Sequence, residues 1–238
     1  MNHFEASQEP VVEFIKHAMP GGPRVGVFAS SFNPPTTAHV ELVQRAADSF
    51  LLDQSLALAG KLNADKRSYD CPLETRLKML QLAFDDNSSV GIGVASHAFF
   101  VDMVDAIERA FTPPPDIYFI VGFDTFVRIL DPESRYTGCY YQVFKDRTEA
   151  LMYLLSKSRL IVAARAHSTS SDVLTLMTKE SEALSDRVLY LDLPADLAEQ
   201  SATRVREMVR SGMPITGLVP AAVERLIERN RIYGGPSG

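Results

Sequence analysis

A doubly wound parallel α/β sheet is the fold this sequence predicts, and three observations carry that expectation. Short apolar runs alternate with amphipathic stretches from Arg24 onward, the pattern of strands buried between layers of helices. The first run, Val25-Gly26-Val27-Phe28, breaks into small residues and prolines before a helical stretch begins. That layout collects unpaired backbone N–H groups and aims them at an anion. Finally, 238 residues with 46% hydrophobic and 23% charged side chains suit an ordinary globular α/β domain.

Charge and cysteine usage narrow the function. A net charge of −6 gives no general attraction to nucleic acid or an anionic membrane, so any polyanion must meet a local cluster of cations. Two distant cysteines, Cys71 and Cys139, form neither a disulfide framework nor a metal-ligand spacing. With no apolar run near 18 residues and no signal-peptide pattern, a cytoplasmic or nuclear protein is expected. The expected partners are small molecules, with no nucleic acid and no membrane, and a homo-oligomer remains compatible.

In chain order, Pro10 to Met19 reads as an amphipathic helix stopped by Pro20-Gly21-Gly22-Pro23. Residues 1–23 are thus expected as a helical extension that covers an edge or face of the sheet, ahead of one domain over 24–238. Strands are expected at 25–28, 55–60, 90–95, 116–121, 160–164 and 188–193. Helices are expected at about 37–50, 73–84, 101–111, 122–131, 142–155, 171–183, 201–211 and 220–230. A Rossmann-like sheet with helices on both faces follows, its ligand lying beyond the strand ends where the winding reverses.

Two stretches carry the chemistry. The turn after the first strand, Ser30-Ser31-Phe32-Asn33-Pro34-Pro35, delivers the Thr36 hydroxyl and the His39 imidazole to a helix opening, which reads as a nucleotide phosphate site. Far along the chain, Gln200-Ser201-Ala202-Thr203-Arg204-Val205-Arg206 offers an N-cap in Ser201 and a free hydroxyl in Thr203. Arg206, one turn on, adds a planar fork matched to phosphate.

These stretches resemble the T/H-x-G-H nucleotidylyltransferase superfamily, in the form carried by nicotinamide and nicotinate mononucleotide adenylyltransferases. Ser30 to Thr36 is similar to G-S-F-N-P-x-T and closer still to S-S-F-N-P-P-T of the fungal-type branch; Ala38 stands where many members have Gly. The segment 200–206 resembles I-S-S-T-x-I-R, from which Gln200 and Ala202 depart. Leu218-Val219-Pro220 through Tyr233 resembles the family's terminal packing pattern. The C-terminal helices would then carry the S-x-T-x-x-R motif, and the resemblance spans most of residues 24–233.

The resemblance implies adenylyl transfer from ATP, brought with Mg²⁺, to nicotinamide mononucleotide or nicotinate mononucleotide. His39, Thr36, Lys66 and Arg206 would carry catalysis. ATP would also meet Ser30, Ser31, Phe32, Ser201 and Thr203, together with Gly122 and Asp124 of a G-x-D motif. Asp124 equally fits a helix N-cap. The mononucleotide side would use Asn33, Lys66, Arg76 and Arg165, with Lys61 competing for the role of Lys66 and Arg76 alternatively structural. Because the chain contains no Trp, stacking on a pyridine ring falls to Tyr136, Tyr140 or Tyr141. The same chemistry on phosphopantetheine or FMN, or a nucleotide sensor with little turnover, are the rival readings. No dedicated metal-ligand set is expected, the Mg²⁺ riding on the triphosphate.

Overall fold

The structure is a computed structural model that describes residues 9–19, 21–61, 70–131, 143–163, 171–173, 175–176 and 182–234. Its centre is a seven-stranded sheet in the order β1-β4-β3-β2-β5-β6-β7. The strands are β1 (Val12–Lys16), β2 (Arg24–Ser30), β3 (Gln54–Gly60), β4 (Val90–Ala95), β5 (Asp116–Gly122), β6 (Ser158–Ala163) and β7 (Val188–Leu191). Strands β2 to β7 run parallel. From β2 the chain winds outward through β3 and β4, then returns to β5 on the other side of β2. The winding therefore reverses between β2 and β5, and a crevice opens beyond their carboxyl ends.

Strands this central must be apolar on both faces, which is why they read as continuous hydrophobic runs. Along β5, Ile117, Phe119 and Val121 point into one core layer, while Tyr118 and Ile120 point into the other. The first layer is closed by α3 (Phe100–Ala110), α4 (Phe123–Leu130) and α5 (Arg147–Lys157) through Val104, Ile107, Phe126, Leu154 and Leu155. The second is closed by α1 (Thr37–Phe50) and α2 (Leu73–Ala83) through Leu42, Val43, Ala46 and Leu80. A short helix α6 (Ala195–Ala198) leads into α7 (Ala202–Arg210), and α8 (Ala221–Arg229) closes the described chain. A third, smaller apolar cluster joins Met79 of α2 to Val205 of α7 and to Val223 and Ile227 of α8. That cluster docks the distant second motif beside the first.

The expected helix over 10–19 is a correction. Val12–Lys16 is a strand, antiparallel to β4, with Val12 opposite Ala95 and Phe14 opposite Gly93. Its residues alternate inward and outward, Val12 and Phe14 packing on the core while Glu13 and Ile15 face out. Without it the N–H and C=O groups of β4 would form an open sheet edge, and pairing them outweighs a weak helical period. Lys16 Nζ also donates to the carbonyls of Phe84 (2.9 Å) and Asn87 (3.1 Å), satisfying the end of α2. Gly93 is needed here, because a Cβ on it would lie 2.8 Å from the Glu13 carbonyl oxygen. The other expected strands, and the expected helices whose ends are described, fall within a few residues of their bounds; residues 132–142, 164–170 and 177–181 lie outside the described residues, and the 3-10 turn Glu182–Arg187 and the helix Ala195–Ala198 were not expected. No described helix is long and apolar enough to cross a membrane.

Candidate active site

The loop after β2 is held from below before it reaches the helix. Phe32 is fully buried with φ +45, a left-handed conformation that a bulky residue adopts only under constraint. Its ring packs edge-on against Phe28 (centroids 5.5 Å apart) and against the His39 ring (5.5 Å). On either side of Phe32 an arginine grips a carbonyl. Arg76 Nη1 donates to the Ser31 oxygen at 2.7 Å, and Arg206 Nη1 donates to the Asn33 oxygen at 2.7 Å. The Tyr233 hydroxyl donates to Asn33 Oδ1 at 2.7 Å.

Thr36 caps α1 and orients His39 in one reciprocal arrangement. The Thr36 hydroxyl accepts from the His39 backbone N–H at 3.3 Å, and the Thr36 backbone N–H donates to His39 Nδ1 at 2.8 Å. This is a capping box with histidine in the place usually taken by Glu or Gln. An amide N–H can only donate, so Nδ1 carries the lone pair and the ring proton sits on Nε2. A half-buried imidazole fixed in this tautomer is a hydrogen-bond donor at Nε2.

Several expectations change at this point. Thr36 was expected to bind phosphate through its hydroxyl, but the residue is completely buried and that oxygen is spent on the cap, lying 3.0 Å from His39 Nδ1. Phe32 and Asn33 were expected to face ligands; both are buried, so their side chains support the loop from within. Arg76, expected to touch the mononucleotide or pair with a carboxylate, is 1% exposed. Its fork bridges the Ser31 oxygen and the Gly60 oxygen (3.2 Å from Nη2), joining the ends of β2 and β3. The first-turn amides of α1 are also occupied. Thr37 N–H donates to the Leu218 carbonyl at 3.0 Å, and Ala38 N–H donates to Gln200 Oε1 at 3.1 Å. Ala38 and Gln200, two departures from the family pattern, thus meet each other.

The second motif opens a helix where the sequence suggests, but Arg206, expected to hold the departing pyrophosphate, turns its fork inward onto the Asn33 carbonyl. Ser201 caps α7, its Oγ accepting from Arg204 N–H at 3.2 Å, and Thr203 is exposed in the first turn. Arg206 is buried, with Nη2 donating to Thr203 Oγ1 at 3.2 Å and Nε 2.8 Å from Asp70 Oδ2, off the N–H direction. Asp70 also pairs with Arg210 at 3.1 Å. Across the switch point, Gly122 is the N-cap of α4 and Asp124 lies exposed in its first turn, so Asp124 is not the cap. Ser30 and Ser31 sit half-buried at the end of β2, and Lys61 is exposed just beyond β3. Lys66, Tyr136, Tyr140, Tyr141 and Arg165 lie outside the described residues, as do Asn63 and Asp65.

Reasoning from the sequence missed Asp70, Gln200 and Tyr233 as parts of this site. Tyr233 belonged to a recognisable terminal pattern but read only as packing. Asp70 carried no signal, and Gln200 read only as a departure from the motif. Burial holds the Tyr233 hydroxyl well above its ordinary pKa, with Cys71 beside it acting in the same direction. Burial likewise raises the Cys71 thiol, against hydrogen bonds from Thr75 and Tyr233. Both therefore stay protonated at neutral pH, and Tyr233 keeps its donor.

If Thr36 acts by positioning, Thr36→Val should cost about 1 kcal/mol of stability, the worth of an N-cap. KM for ATP should stay within about twofold, because no direct phosphate contact is lost. Denaturant titration and steady-state kinetics check both; a tenfold rise in KM for ATP would return the hydroxyl to the phosphate.

A family model described as cytidylyltransferase-like matches residues 27–208, which contain the β2 loop, the α4 entrance and the α7 motif. The chain belongs to the cytidylyltransferase-like family. It is 28% identical over 231 residues to a Geobacter sulfurreducens protein named probable nicotinate-nucleotide adenylyltransferase, covering 88% of this chain and 98% of that one. A Schizosaccharomyces pombe protein, named provisionally as a nicotinamide mononucleotide adenylyltransferase, is 27% identical over 225 residues, covering 89% and 86%. Among solved structures, Plasmodium falciparum nicotinic acid mononucleotide adenylyltransferase complexed with NaAD superposes with a TM-score of 0.64 at 14% identity, covering 89% of this chain and 98% of that one. At that identity the likeness speaks for the Rossmann-like fold of this family member.

Proposed function

We infer that this chain transfers the adenylyl group of ATP to the phosphate of a pyridine mononucleotide, forming a dinucleotide and pyrophosphate. The observation that carries this reading is the Thr36–His39 unit, a donor at Nε2 fixed at the mouth of the crevice. In the reaction an oxygen of the mononucleotide phosphate attacks the α-phosphorus of ATP in line. A new P–O bond forms as the bond to the β-phosphate oxygen breaks, and pyrophosphate leaves with that electron pair. A phosphate monoester is already a competent nucleophile, so no general base is needed. Catalysis then rests on positioning and on stabilising charge at the transferring group.

In this reading His39 donates to an α-phosphate oxygen as charge accumulates there. Thr203, exposed in the first turn of α7, is the polar edge that meets the departing pyrophosphate, with the buried Arg206 behind it donating to its Oγ1 at 3.2 Å. In the same reading Asp124, exposed in the first turn of α4, accepts from a ribose hydroxyl, and Lys66 holds substrate phosphate. Asp70 is committed to Arg206 and Arg210, and no group of three or more metal-binding side chains gathers among the described residues. We propose that Mg²⁺ comes with ATP, held by triphosphate oxygens, where it would supply charge neutralisation.

The names of the relatives support a pyridine acceptor, nicotinate mononucleotide in the bacterial protein and nicotinamide mononucleotide in the fungal one. We propose both as acceptors of this chain, ahead of phosphopantetheine and FMN. Side-by-side kcat/KM values for the four acceptors, at fixed ATP and Mg²⁺, test the choice. A pyridine mononucleotide should lead by at least about tenfold, the scale of a lost specific contact; preference for FMN or phosphopantetheine would overturn it.

A further inference from the structure

The last described turn of the chain reaches back to the first motif. Tyr233 follows α8, is 8% exposed, and donates to Asn33 Oδ1 at 2.7 Å across a separation of 200 residues. Asn33 is 3% exposed, and its backbone oxygen is already taken by Arg206. The side chain and the carbonyl of one loop residue are therefore held by two different C-terminal segments. Pro34 and Pro35 come next, each with a locked φ and neither with an N–H to form new bonds. Two locked φ angles leave few torsions between Asn33 and Thr36, whose N–H sets the His39 tautomer and ring position.

We propose that Tyr233 is a positioning residue for adenylyl transfer, acting through Asn33 and the proline pair on the placement of His39. The inference rests on the reading of His39 as the transition-state donor. Its signature is a change in kcat rather than in substrate affinity, because the link ends on a group that acts as charge develops. Nothing in this link requires Tyr233 to touch a substrate.

The test uses the full chain, with each variant assayed well below its own thermal midpoint. Tyr233→Phe keeps the ring and deletes one hydroxyl; it should lower kcat about tenfold, since small misplacements at a reacting centre cost up to about a hundredfold. KM for ATP and for the mononucleotide should each move less than about twofold. Asn33→Leu should lose as much, and adding Tyr233→Phe to it should cost nothing more, as expected for two members of one link. Asn33→Asp retains an acceptor for the Tyr233 hydroxyl and should keep kcat within about threefold. The Asn33 pair stands as an independent arm should Tyr233→Phe fail to fold. Wild-type kcat in Tyr233→Phe, losses that multiply in the double variant, or equal losses in Asn33→Asp and Asn33→Leu would each overturn the proposal. Wild-type protein that makes no dinucleotide would instead strike the proposed function itself.

Discussion

His39→Ala should lower kcat by roughly 10²–10³, the cost of removing one preorganised donor from a developing negative charge. KM for ATP should change little, because the interaction strengthens only as the transition state forms. The geometry adds a finer expectation. Nδ1 of His39 is an acceptor for the Thr36 N–H, so the ring proton is on Nε2. His39→Asn, whose short amide cannot both accept from Thr36 and present a donor at the imidazole's reach, should recover little of the loss. Steady-state kinetics on well-folded variants decide this; near-wild-type kcat in His39→Ala would remove the histidine from the chemistry.

The second large effect belongs to Arg76. Arg76→Ala deletes a buried fork and leaves the carbonyl oxygens of Ser31 and Gly60 without it, at about 1–3 kcal/mol for each orphaned group plus a cavity. A loss of about 3–5 kcal/mol is expected, or very roughly 6–20 °C in Tm for a chain of this size. Arg76→Lys should recover little, because a single ammonium on a flexible stem does not reproduce a planar fork. Urea denaturation measures this, and a loss below about 1 kcal/mol would mean that the strand ends hold together without the guanidinium.

Local signals in the sequence served the first motif well, while non-local ones were silent. The β2–loop–α1 unit was legible because its apolar run, prolines and cap lie within sixteen residues of one another, from Arg24 to His39. His39 was legible for the same reason. The N-terminal strand was not, since Val-Glu-Phe-Ile-Lys suits either period and the deciding partner, the open edge of β4, lies some eighty residues away. The inward roles of Asn33, Arg76 and Arg206 were equally hidden. A residue type matched to phosphate is also matched to a carbonyl, and only burial separates the two uses. Gln200 shows the point from the other side: read in line it breaks a motif, yet in space it accepts from the N–H of Ala38, the other residue out of pattern.

The account turns most directly on what the protein does with ATP and a pyridine mononucleotide together. Purified chain, ATP, Mg²⁺ and either nicotinate or nicotinamide mononucleotide should be incubated and the products resolved by mass and by phosphorus resonance. The account predicts a dinucleotide whose mass joins AMP to the mononucleotide, with one pyrophosphate released for each dinucleotide formed and no reaction when the mononucleotide is omitted. Release of ADP and inorganic phosphate, with or without the mononucleotide, would contradict it.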